Sequence, residues 1–102
     1  MHDPIEFIRE NLSQEELLTQ LAEECSELSK AALKLRRVYN GENPTPIRRP
    51  EAYDNVIEEI ADVFLVIDVL GFGDVEHMKK IVKIMESKTS RWSQRLKAKQ
   101  IE

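Results

Sequence analysis

Val56-Ile57-Glu58-Glu59-Ile60-Ala61-Asp62-Val63-Phe64-Leu65-Val66-Ile67-Asp68-Val69-Leu70 is the stretch on which the fold turns. With about 100° of rotation per residue, its apolar side chains fall on nearly every side of a helix, which predicts a buried α-helix rather than a surface one. Glu59 and Asp62 share a face with Val66 and Val69. Upstream, Leu17, Leu21, Leu28, Ala31, Ala32 and Leu35 make one apolar sector of a second long helix, with Glu24 inside it and Glu27 on its edge. An ionised carboxylate in such surroundings costs several kcal/mol or shifts its pKa unless a cation or hydrogen-bond donors compensate it. Four acids converging from two helices repel one another, and a divalent cation resolves that conflict.

Outward from these two helices, local signals set the boundaries. Asp3-Pro4 predicts an N-cap and first turn, opening a short helix through about Asn11. Ser13-Gln14-Glu15-Glu16 matches a capping box, so the helix carrying Glu24 and Glu27 is expected from there to about Tyr39, stopped by Asn40-Gly41. The segment Asn40 to Pro50 holds Asn-Gly, three prolines and two arginines and predicts the one substantial loop, mobile when nothing is bound. The apolar helix is expected from Pro50 or Glu51 to Gly71-Phe72-Gly73. Asp74 then caps a last helix with Val75, Met78, Ile81, Val82, Met85, Trp92 and Leu96 on one side. With no strand pattern and no internal repeat, the expected class is all-α, an antiparallel helical bundle.

The chain has 102 residues, enough for one domain with a modest core, so a partner subunit is expected to complete the helix burial. Fifteen Lys and Arg against nineteen Asp and Glu leave it mildly acidic, which argues against a general nucleic-acid surface. No apolar segment approaches the roughly 20 residues of a membrane span, and the N-terminus lacks a basic stretch followed by an apolar run. A cytoplasmic protein without nucleic-acid or membrane partners is expected. The single cysteine, Cys25, lies towards the apolar side of its helix and reads as core packing.

Residues three apart share a helix face, so Glu24-x-x-Glu27 and Glu59-x-x-Asp62 each present two carboxylates side by side. All-oxygen ligation suits Mg²⁺ or Mn²⁺, which retain waters and recruit phosphate oxygens. Zinc would want His and Cys ligands, and a di-iron bundle two Glu-x-x-His pairs. The chain offers only His2 and His77, and Asp74-x-x-His77 reads as a helix start.

Glu23-Glu24-Cys25-Ser26-Glu27-Leu28, followed after a helix break by Glu58-Glu59-Ile60-Ala61-Asp62-Val63, resembles the EExxE…ExxD signature of the MazG-like all-α nucleoside triphosphate pyrophosphohydrolases. The resemblance extends from about Gln14 to Leu96. It implies a MazG-like bundle assembling as a homodimer or homotetramer, with Mg²⁺-dependent cleavage of a nucleoside triphosphate between the α and β phosphates. Monophosphate and pyrophosphate would be released, and Mn²⁺ would substitute for Mg²⁺. Carried over by residue, Glu24, Glu27, Glu59 and Asp62 would be the metal ligands, an assignment their apolar setting favours independently. Glu23, about 100° from Glu24, reads either as an exposed acid or, by the resemblance, as the catalytic group that orients or deprotonates the attacking water. Glu58 reads as a surface acid or as one that supports the ligands from behind.

On the last helix Lys88, Arg91 and, less strongly, Arg95 lie along one flank, as a phosphate-binding edge or a solvated basic edge near a helix C-terminus. Lys30 and Lys34 read as solvated, and Trp92 as structural. Arg48 and Arg49, in the loop, read as phosphate or sugar contacts or as ordinary loop charges. Two alternatives stay open. One is a specialised relative such as a phosphoribosyl-ATP pyrophosphohydrolase or a dUTP/dCTP-preferring enzyme. The other is a non-catalytic helical interaction module that keeps the acids for an ion or a basic partner.

Overall fold

A computed structural model describes residues 3–41 and 47–101 and, among them, four α-helices and no strand. They are α1 (Pro4–Asn11), α2 (Gln14–Asn40), α3 (Arg49–Val69) and α4 (Val75–Ile101). The chain divides into two compact units, Met1–Gly71 and Phe72–Glu102. Residues 42–46, the middle of the loop expected between Asn40 and Pro50, lie outside the described residues, as does His2.

α1, α2 and α4 begin where their capping chemistry dictates. The Asp3 carboxylate accepts a hydrogen bond from the Ile5 amide at 3.0 Å, with Pro4 in the first turn of α1. Ser13 Oγ accepts from the Glu16 amide at 3.0 Å while the Ser13 amide donates to Glu16 Oε2 at 2.9 Å, a reciprocal capping box that starts α2. Gly41 closes α2 in the left-handed region, φ 67°, and donates its amide to the Arg37 carbonyl. Asp74 Oδ1 accepts from the His77 amide at 2.8 Å at the head of α4, as the Asp-x-x-His spacing predicts.

In the first unit α2 and α3 run antiparallel. Leu17 near the start of α2 meets Val66, Val69 and Leu70 at the end of α3. Glu24 meets Glu59 and Asp62 in the middle, and the Tyr39 ring lies 4.5 Å under the Arg49 guanidinium at the other end. α1 adds Ile5 and Ile8 to the Leu17 cluster. It is tied down by Arg9, whose Nε and guanidinium nitrogen donate to the carbonyls of Val69 (2.8 Å) and Asp68 (2.9 Å). That contact gives the Val69 carbonyl a donor, adds a second one to the Asp68 carbonyl, which also accepts from the Gly71 amide, and places a cation at the negative end of the α3 dipole.

α3 departs from the expectation of burial on every side. Ala52, Val63, Val66 and Val69 are buried, whereas Tyr53, Ile57, Leu65 and Phe64 are exposed, Phe64 at 66%. One layer of helix covers one side of α3, and an apolar run that goes all the way round does not say which side. Cys25 is exposed rather than packed in a core, since it lies about 80° round α2 from Leu17, to the side of the sector that packs on α3.

In the second unit the Phe72 ring meets the His77 ring edge-on at 5.3 Å. Trp92, expected to be structural, is 64% exposed, and Met85 and Leu96 on the same stripe are exposed too. No described helix is long and apolar enough to cross a membrane.

Candidate metal centre

Halfway along the α2/α3 pair the two acidic motifs come together. One carboxylate oxygen each from Glu24, Glu59 and Asp62 lies within 4.8 Å of the other two, and all three residues are half-buried. The antiparallel register brings them to the same level, and the three-residue spacing puts Glu59 and Asp62 on the side of α3 that faces α2. Glu24 Oε1 accepts a hydrogen bond from Gln20 Nε2 at 2.7 Å, one turn earlier on α2, which fixes one of its oxygens.

Electrostatics register the crowding. Glu59 is pushed above its ordinary pKa of 4.5, first by its partial burial and then by the negative charges of Asp62, Glu24, Glu27 and Glu58. A group surrounded this way is held ionised by a cation. Three carboxylates within reach of a single ion make a hard, all-oxygen donor set, which fits Mg²⁺ or Mn²⁺.

Glu27, the fourth expected ligand, stands one turn along α2 and is exposed. Its Oε1 lies 3.4 Å from Lys30 Nζ. It shares a cavity of about 360 Å³ with Glu59, lined further by Lys30, Ala31, Lys34, Ala52 and Asn55. Glu23 and Glu58 are exposed. Lys34 is half-buried where the sequence suggests a solvated chain. Gln20 and Asn55 are absent from the sequence reading. The four-residue spacing from Gln20 to Glu24 was an available signal, while Asn55 joins the cavity only through the α2/α3 register.

On α4, Lys88, Arg91 and Arg95 line one surface recess of about 420 Å³ together with Trp92. Their spacing of three and four residues puts the three cations on one flank, with the indole beside them. Arg48 occupies the N-cap position of α3 without a side-chain cap, and Arg49 stacks on Tyr39.

No family model, no curated protein and no solved structure matches the chain.

Proposed function

We propose that the protein is a Mg²⁺-dependent nucleoside triphosphate pyrophosphohydrolase of the MazG-like type, hydrolysing its substrate between the α and β phosphates. The observation that carries this reading is the convergence of Glu24, Glu59 and Asp62 from two antiparallel helices, in the motif order that resembles that superfamily. Glu24, Glu59 and Asp62 would hold the ion, with Glu27 one turn along α2 as the fourth proposed ligand. A bound Mg²⁺ supplies neutralisation of phosphoryl charge and a water of lowered pKa. Glu23 would be the group that orients or deprotonates the attacking water, and Gln20 holds the Glu24 carboxylate in place.

The same reading includes a homo-oligomeric, cytoplasmic protein. The exposed Tyr53, Ile57 and Phe64 fall within about 40° of one another on α3, roughly opposite Glu59 and Asp62. An apolar stripe of that kind on the outside of a thin helical layer favours a second subunit over water.

The test is release of pyrophosphate from a panel of ribo- and deoxyribonucleoside triphosphates, dUTP and oxidised bases included, with Mg²⁺ or Mn²⁺ and then with chelator. Monophosphate plus pyrophosphate, lost on chelation, is the expected result. Silence across the panel from a folded, metal-binding protein would favour a phosphoribosyl substrate or the non-catalytic module instead.

A further inference from the structure

We propose that Asn40 is a site of self-modification, losing ammonia by ring closure with Gly41, and that the last turn of α2 sets the rate by withholding the Gly41 amide nitrogen. The proposal is independent of the metal centre. Its chemical basis is the Asn40-Gly41 pair at the end of α2. Glycine has no Cβ to shield its nitrogen, so a deprotonated Gly41 amide is open to attack the side-chain carbonyl carbon of Asn40. That step forms a bond from Gly41 N to Asn40 Cγ and breaks the Cγ–Nδ2 bond. The amide proton leaves with Nδ2 as ammonia. One water then opens the resulting succinimide at either carbonyl, giving aspartate or isoaspartate, with no further reactant. Both residues are exposed, so water and hydroxide reach them.

Two contacts hold the reaction back. The Gly41 amide donates to the Arg37 carbonyl at 3.0 Å, which engages the proton that has to leave and keeps the nitrogen pointed along the helix. Asn40 is the last residue of α2, and ring closure needs its ψ turned well away from the helical value. The second contact is the Arg49 guanidinium over the Tyr39 ring, 4.5 Å from the centroid, which ties the residue before Asn40 to the first turn of α3. The turn has to lose both before the nitrogen is released, a local opening rather than global unfolding. Once formed, a carboxylate at position 40 stands at the negative end of the α2 dipole, and isoaspartate adds a backbone atom that misplaces the Gly41 amide. Conversion thereby loosens the turn that delays it. Loss of ammonia is one-way, so the fraction converted records how often the end of α2 opens.

The test is the rate of aspartate and isoaspartate formation at residue 40, read by peptide mapping of the full chain held at mildly alkaline pH. Unfolding the parent in guanidinium chloride is expected to speed conversion by at least about tenfold. In folded protein, Arg49→Ala and Tyr39→Ala are each expected to speed it by about two- to fivefold. The double variant is expected to go no faster than either single one, because both remove the same contact. Circular dichroism checks that the variants stay folded, and the comparison within the parent needs no variant. Rates within twofold for the folded and unfolded parent, or for the parent and both folded single variants, would overturn control by the last turn. An unfolded chain that keeps Asn40 intact would overturn the site itself.

Discussion

Glu59 is the residue on which the competing forces meet. Its carboxyl is half-buried and faces four other acids, so its pKa in the folded chain lies above the ordinary 4.5. For an acid shifted upwards, the folded state binds the proton more tightly than the unfolded state. Without metal, stability is therefore greatest below pH 4.5 as far as this group is concerned. It falls as pH rises through the interval up to the raised value, and stays lower above it. Thermal melts of metal-free protein are expected to show that contribution as a drop in Tm that Glu59→Gln removes. Saturating Mn²⁺ is expected to raise the parent's Tm above pH 6 while leaving that of Glu59→Gln nearly unmoved, because binding to the folded state alone stabilises it. A parent Tm indifferent to Mn²⁺ would contradict the metal assignment. The convergence of Glu24, Glu59 and Asp62 was legible because ExxE and ExxD spacing fixes which carboxylates share a helix face. Exposure of Glu27 and its pairing with Lys30 were not, since a residue on the edge of an apolar sector can turn to either side.

At the scale of the element, helix boundaries were readable because capping is local chemistry. Asp3, Ser13 with Glu16, Gly41 and Asp74 each do what their positions in the sequence imply. Ser13→Ala removes one partner of the capping box and is expected to cost about 1 kcal/mol in denaturant unfolding, with the m-value unchanged. The Arg9 contact to Val69 and Asp68 was hidden from the sequence because it joins residues some sixty positions apart. Arg9→Ala is expected to destabilise by about 1–2 kcal/mol, loosening α1 from the end of α3, which hydrogen exchange at the Val66–Leu70 amides would register. Burial of α3 was the element-scale expectation that needed revision. Its apolar residues satisfy two different sides, one facing α2 and the other bearing Tyr53, Ile57 and Phe64, and only the packing distinguishes them.

For the whole molecule, the core of the described chain is small. Leu17, Ala52, Val63, Val66, Val69 and Leu70 are its buried residues, against a long series of exposed large apolar ones. That imbalance is what the sequence foretold from a modest length and an excess of apolar helix, and it supports assembly with a second subunit. Phe64→Lys places a charge on the exposed stripe, away from the carboxylates. In sedimentation it is expected to shift the protein to a smaller species with helical content retained; an unchanged sedimentation coefficient would remove this stripe as the contact surface. The sequence supplied the motif and the register supplied the site, since Glu24, Glu59 and Asp62 meet only because α2 and α3 run antiparallel at this offset.

The most direct measurement is pyrophosphate release from the best nucleoside triphosphate across a Mg²⁺ titration, made side by side for the parent, Glu24→Gln and Asp62→Asn. The account predicts saturable Mg²⁺ dependence in the parent, abolished by chelator. It predicts a loss of at least about a hundredfold in each variant, with helical content unchanged. Activity retained in both variants, or pyrophosphate release indifferent to chelation, would contradict it.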